Sequence, residues 1–287
     1  MDEDEDVPVA AKAGPGMTAE AALRHILQRC CSEIDGHLAL VLDSDDAAGP
    51  HKARVWLRRT VTALDAFAPV LKRKATAELR AEAKDIFRAL GKLRDQDVLL
   101  AAVPPEERSA KLEAETARLR VKLRLRLRER NAVLFSPVLA RKVEDGSVFR
   151  TGERARAMRA AGVGQIAVAA LDASWKRCGR RGADIDALRA QALHGFRKDL
   201  KTLRYLSEFF TPFLPTEGAT TFRAEMQRMQ DLLGVATDAQ LAKAMRRKSA
   251  AVVDRDAVRE AIDQATEVWA ALRLHRPWWR GGAVKVH

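Results

Sequence analysis

Two stretches of the sequence place a histidine ahead of several cations at helical spacing. At about 100° per residue, one arc of the first stretch, residues 51–62, holds these polar side chains: His51, Arg54, Arg58 and, at its edge, Arg59. One arc of the second stretch, residues 194–205, holds a larger set: His194, Arg197, Lys198, Lys201, Arg204 and Tyr205. Apolar residues such as Leu57 and Leu200 lie on the opposite side of each helix. Each helix is therefore predicted to bury one side and to present a cationic face.

A cationic face of this kind favours an anionic ligand. Like charges three and four residues apart repel each other, so the face costs stability unless an anion or carboxylates compensate it. Pro50 is typical of a first helical turn, which places His51 near free backbone N–H groups that also attract anions. No comparable start signal directly precedes His194. Neighbouring cations disfavour protonation of both histidines, which leaves two roles open: hydrogen bonding to a phosphate oxygen, or orienting an arginine.

An internal repeat relates the two stretches. When the sequence is shifted by 143 residues, identical residue types align without gaps: His51 with His194, Arg54 with Arg197, Phe67 with Phe210, Pro69 with Pro212, Gly91 with Gly234, and Asp95 with Asp238. Solvation of a basic face does not require the same types at the same positions twice. We interpret the chain as two copies of one helical unit, about 17–144 and 160–287, related by a pseudo-two-fold axis.

The elements that carry these residues are predicted to be helices. Ala, Leu, Arg, Glu and Lys are frequent, and apolar residues recur at three- and four-residue spacing. Residues 118–128 (RLRVKLRLRLR) also alternate with period two, which is typical of a half-buried strand. Helix is favoured there, because Leu119, Leu123 and Leu127 form an i, i+4 stripe. The expected fold class is all-α, a duplicated helical bundle.

Charge points to an acidic polymer as partner. The 287 residues have a formal net charge of +12. Residues 1–16 include five acidic side chains and only Lys12, so they are predicted to form a disordered acidic leader on a more basic body. DNA or RNA could use the same cations through counterion release. A nucleic-acid binder is therefore the alternative, although aromatic residues for base stacking are few, at 5% with a single tyrosine.

Neither catalysis nor a cofactor is expected. The three cysteines lack metal-ligand spacing, and there is no phosphate-binding loop, zinc-protease motif or nucleophile elbow. Asp95, Asp97 and Asp238 are more typical of salt bridges or helix caps than of metal ligands. The acidic start is unlike a secretory signal, and no apolar run of about 18 residues is present. A cytoplasmic protein without a membrane association is expected.

Four motifs resemble those of the CHAD family, the conserved histidine α-helical domain: HKARVWLRR, LGKLRDQDVLL, LHGFRKDLKTLRYLSEF and MQDLLGVATDAQLA. The likeness covers nearly all of residues 17–287. It implies two four-helix-like halves with a central basic cavity, inorganic polyphosphate as ligand, and location at polyphosphate granules. By motif position, the ligand-facing residues would be those of the two cationic arcs. One departure is Thr237, where the first copy has Arg94.

Overall fold

The computed structural model describes residue 14 and residues 16–101, 103–215, 217–245 and 255–281, with backbone only for 238–245. The described residues form ten α-helices, joined by loops and short 3-10 turns, with only isolated β-bridges. The predicted all-α class is confirmed. The helices are α1 (Ala19–Asp43), α2 (Ala48–Ala66), α3 (Arg73–Ala101), α4 (Ala110–Glu129), α5 (Phe135–Glu144), α6 (Glu153–Ala160), α7 (Gly164–Arg181), α8 (Ala190–Phe210), α9 (Ala219–Met245) and α10 (Arg255–Leu274).

The chain divides into two compact units between Gly162 and Val163. The N-terminal unit runs from Thr18 to Gly162 and contains α1–α6, so it extends beyond the first predicted copy, 17–144. The C-terminal unit begins at Val163 and also includes Met17, whose carbonyl accepts a hydrogen bond from Val163 N at 3.1 Å. The predicted disorder of the acidic leader falls almost wholly outside the described residues. The repeat itself stays a prediction.

The N-terminal unit is built around α1. This helix begins where the Thr18 hydroxyl accepts a hydrogen bond from Ala21 N at 3.2 Å, and it packs against α2, α5 and α6. Its buried side is a continuous apolar stripe, which includes Leu23, Ile26, Leu27 and Ile34. The opposite side of α2 packs on α3, and α3 packs on α4. The helix α2 is therefore held from two directions.

Residues 118–128 lie within α4, as the helix prediction required. Ser109 caps this helix by accepting a hydrogen bond from Leu112 N at 3.2 Å. Leu123 and Leu127 are buried, whereas Val121 and Leu125 are exposed. Burial thus follows the four-residue stripe and not the alternation, because a strand would have placed all four apolar side chains on one face.

The C-terminal unit packs α7 on α8, α8 on α9, and α9 on α10. Its core contains an aromatic cluster in which Trp175 contacts Trp269 at 5.2 Å between ring centroids, in edge-on geometry. Phe196 meets Trp269 at 5.3 Å. The indole N–H of Trp269 donates to the carbonyl of Gly182 at 2.7 Å, which joins α10 to the end of α7. No described helix is long and apolar enough to cross a membrane.

Candidate functional site

The cations of α2 lie over an aromatic ring of α3. The guanidinium carbon of Arg54 is 3.9 Å from the centroid of the Phe87 ring, and that of Arg58 is 5.1 Å from it. Both distances are within the range of cation–π attraction. Phe87 is not part of any sequence motif that suggested binding. It lies 33 residues after Arg54, so only the packing of α2 on α3 brings the two together.

Gly91 gives the Arg54 side chain its space. Arg54 Nη1 donates to the carbonyl of Phe87 at 2.9 Å, and a Cβ atom at Gly91 would lie only 2.6 Å from that nitrogen. Burial lowers the pKa of the Arg54 guanidinium and Asp95 opposes this, although an arginine remains charged at neutral pH. The glycine at this position of the repeat is therefore explained by the close approach of an arginine.

Arg58 and Arg59 have different surroundings although they are neighbours in sequence. Within the described part of the chain, the guanidinium of Arg58 lies over the Phe87 ring and makes no hydrogen bond or ion pair. Arg59 is only 5% exposed and lies over the Trp56 ring at 4.7 Å. The side of α2 that carries Arg59 is thus covered in this structure, and its predicted contact with a ligand stays a prediction. Arg58 is half-buried, like Arg54, and has no hydrogen-bonding or ionic partner among the described residues.

The α8 helix of the C-terminal unit holds an arginine in a similar way. Arg197 Nε donates to the carbonyl of Gln230 on α9 at 3.4 Å, again 33 residues along the chain. A Cβ at Gly234 would lie 3.4 Å from Arg197 Nη2, which is looser than at Gly91. Lys198 is exposed and has no protein partner among the described residues. His194 is exposed and Lys201 is half-buried, so four of the predicted residues lie on one accessible side of α8.

Arg204 and Tyr205 do not lie on that side. They are 4% and 1% exposed. The Arg204 guanidinium hydrogen-bonds Gln227 and lies 3.4 Å from the Glu208 carboxylate, so its charge is compensated inside the protein. Both side chains are buried in this structure, and their predicted contact with a polyanion stays a prediction. The helix α8 packs against both α7 and α9, and two neighbours cover a wider arc than one apolar stripe.

Both histidines lie close to a helix start. Helix α2 begins at Ala48, whose N–H donates to the Asp46 carboxylate at 2.8 Å, and His51 is in its first turn. Helix α8 begins at Ala190, so His194 is within its first five residues. The sequence carries no capping residue there, and no side-chain cap forms. The backbone N–H groups and the dipole at a helix start favour anions, and this now applies to His194 as well as to His51.

The aspartates considered as metal ligands do not meet in the described residues. Asp97 accepts a hydrogen bond from Arg120 at 2.9 Å and is buried, and burial raises its pKa although Arg120 lowers it. This ion pair joins α3 to α4, in agreement with the salt-bridge interpretation. The described residues contain no group of three potential metal ligands, and the side chain of Asp238 lies outside them.

The cysteines are unreactive core residues. Cys30, Cys31 and Cys178 are buried and unpaired. Burial raises the pKa of Cys30 to about 11 and that of Cys31 to about 12, so both thiols stay protonated at neutral pH.

A second cluster of arginines lies in a cavity of about 400 Å³ at the start of α1. Arg24 and Arg159 both lie over the buried Phe149 ring, at 5.2 and 5.0 Å, and both pair with the Glu20 carboxylate, at 2.7 and 3.3 Å. One carboxylate thus bridges two guanidinium groups. The cluster fastens α6 to α1, and this carboxylate compensates one of the two guanidinium charges.

Comparison with known proteins finds a matching family and two similar structures. The family profile described as CHAD domain matches residues 25–247. The crystal structure of the CHAD domain from the plant Ricinus communis is similar with a TM-score of 0.68 at 20% identity, over 93% of this chain and 91% of that one. PptA from Streptomyces chartreusis is similar with a TM-score of 0.51 at 16% identity, over 90% and 97%. No curated protein matches in sequence. The family profile covers most of the chain, which therefore belongs to the CHAD domain family.

Proposed function

We propose that this protein binds inorganic polyphosphate, without turning it over, through the cations of α2 and α8. The observation that carries the proposal is which of these cations have protein partners. Arg58 and Lys198 have no protein partner in the described residues, whereas Arg54 and Arg197 are each held by a backbone carbonyl. Unpaired like charges on a helix cost stability, and an anionic ligand removes that cost.

Phosphate is the anion that these groups suit best. A guanidinium offers a planar fork of N–H donors to two phosphate oxygens, and a lysine ammonium binds phosphate as a point charge. His51 and His194 at helix starts add donors beside backbone N–H groups. A simple phosphate chain needs only such repeated contacts. The CHAD membership supports polyphosphate as the specific chain, because the resemblance of the motifs implies that ligand.

Binding without hydrolysis is part of the same proposal. Cleavage of a phosphoanhydride requires an activated water and charge stabilisation, commonly with metal ions held by carboxylates. Among the residues that the structure describes, no group of three His, Cys, Asp or Glu side chains could hold such an ion. We further propose that binding places the protein at polyphosphate granules in the cytoplasm.

A competition experiment tests the ligand. Purified protein is offered long-chain polyphosphate, duplex DNA and RNA at matched phosphate concentration and about 0.15 M salt. Polyphosphate should displace both nucleic acids, because the exposed cations lie among few stacking aromatics. Displacement of polyphosphate by DNA or RNA would favour the nucleic-acid alternative. Phosphate release in the same samples would contradict the non-catalytic part.

Charge reversal tests the residues. Arg58→Glu and Lys198→Glu should each weaken polyphosphate binding by about tenfold or more, since one charge-assisted contact contributes roughly 1.5–3 kcal/mol. Lys122→Glu is the matched control, because Lys122 is exposed on α4 and changes the net charge equally. Similar losses in all three variants would mean that only the total charge matters, and the proposed faces would be wrong.

A further inference from the structure

We propose that Phe87 and Gly91 are positioning residues that fix the arginines of α2 for the polyanion, a role that rests on the proposed function. Both lie on α3, one helical turn apart. The ring of Phe87 supports Arg54 and Arg58, while Gly91 leaves the gap that Arg54 Nη1 enters. Neither residue carries a charge or needs to touch the ligand.

The contact of both arginines with Phe87 does not compete with a ligand. A guanidinium has five N–H donors, and a cation–π contact uses none of them for a hydrogen bond. Arg54 uses Nη1 for the carbonyl of Phe87, which sets the rotation of the group. Arg58 keeps its N–H groups without a protein acceptor in the described residues. A guanidinium held in this way loses less conformational freedom when a phosphate binds.

The residue at the place of Phe87 differs in the C-terminal unit. Gln230 occupies the place that corresponds to Phe87, and it offers Arg197 a carbonyl at 3.4 Å but no ring. The gap at Gly234 is also wider. The ring and the narrow gap together fix the arginines of α2 in advance of binding.

Replacement of the ring tests the inference. Phe87→Leu keeps an apolar side chain but removes the π face, and should lower affinity for a polyphosphate of defined length about fivefold. Phe87→Tyr keeps the ring and should bind like the wild type. Gln230→Leu, the matched change in the C-terminal unit, leaves the backbone acceptor of Arg197 in place and should stay within about twofold.

A double-mutant cycle separates positioning from general destabilisation. In an Arg54→Ala, Arg58→Ala background, Phe87→Leu should cause no further loss, because the groups that it positions are gone. Gly91→Ala should likewise weaken binding in the wild-type background only. An equal loss from Phe87→Leu in both backgrounds, or no loss in either, would overturn the inference.

Side-chain NMR distinguishes failure of this inference from failure of the proposed function. The Nε–H signal of Arg54 should be shifted by the Phe87 ring in the free protein, and the shift should disappear in Phe87→Leu and persist in Phe87→Tyr. If the wild type binds no polyphosphate but shows this pattern, the proposed function is wrong and the arginine support stands. An Arg54 signal that is the same in all three proteins would refute the support itself.

Discussion

At the scale of single residues, Asp172 shows how one carboxylate holds the end of the described chain. Its oxygens accept hydrogen bonds from Trp279 Nε1 at 3.0 Å and from Arg280 Nε at 2.8 Å. The hydrogen bond from Arg280 is the main reason that the pKa of Asp172 is lowered, with Trp279 adding to it and burial opposing it. A lowered carboxyl pKa stabilises the folded state above the ordinary value, and this stability is lost as the pH falls through the folded pKa.

Acid should therefore release Trp279 before the unit unfolds. We expect tryptophan emission to change as the pH falls below about 3.9, the ordinary pKa of an aspartate. The Asp172→Asn variant should lack this transition. Asp145→Asn is the control, because the pKa of Asp145 is also lowered, by Ser147, at a place without a tryptophan contact. An identical acid transition in Asp172→Asn and the wild type would contradict this role of Asp172.

At the scale of elements, the junction of α7, α8 and α10 depends on Gly182. A Cβ at this position would lie 2.5 Å from the ring of Phe196 and 2.9 Å from Trp269 Nε1. Those neighbours are core aromatics whose own partners hold them in place. The close approach of three elements, and not the backbone conformation, is what requires a glycine here.

Two glycine substitutions near the end of α7 should therefore have opposite effects. Gly182→Ala should lower the free energy of unfolding by about 1–3 kcal/mol, the usual cost of overpacking. Gly179→Ala should raise it by roughly 0.5–1 kcal/mol, because Gly179 is helical and has nothing within 4 Å of a built Cβ. Urea unfolding followed by tryptophan emission measures both, since four of the five tryptophans belong to the C-terminal unit. A stabilising Gly182→Ala would disprove the steric argument.

At the scale of the whole molecule, the repeat and the family resemblance predict that both cationic faces serve one bound polyphosphate. Arg58→Glu and Lys198→Glu should then each lower the affinity by about tenfold while the number of binding sites stays unchanged. Calorimetric titration with a short polyphosphate of defined length reports both quantities. Two independent sites would behave differently, with half of the capacity lost and the other half keeping its dissociation constant.

Local sequence patterns were sufficient to predict that these segments are helices. The alternating residues 118–128 could be assigned to α4, because Leu119, Leu123 and Leu127 form a stripe that only a helix brings to one side. The 143-residue shift singled out Gly91 and Gly234 before their neighbours were known. These features depend on periodicity and spacing along the chain, which a sequence contains in full.

The number of helices that pack around a given helix does not follow from its local sequence pattern. A helical wheel gives the direction of Arg59, Arg204 and Tyr205, but not that a second helix covers that direction as well. For the same reason, the ring beneath Arg54 and the hydrogen bond between Arg204 and Gln227 of α9 could not be anticipated.

The sequence by itself therefore determined the all-α class, the helical assignment of residues 118–128 and the two cationic helices. Only the tertiary structure decided which cations of those helices are open. Arg58 and Lys198 remain without protein partners in the described chain, while Arg204 is buried and hydrogen-bonds Gln227 of α9. The physical reason is that helix formation and amphipathic patterning follow from local spacing, whereas burial and charge compensation depend on side chains far along the chain that packing brings together.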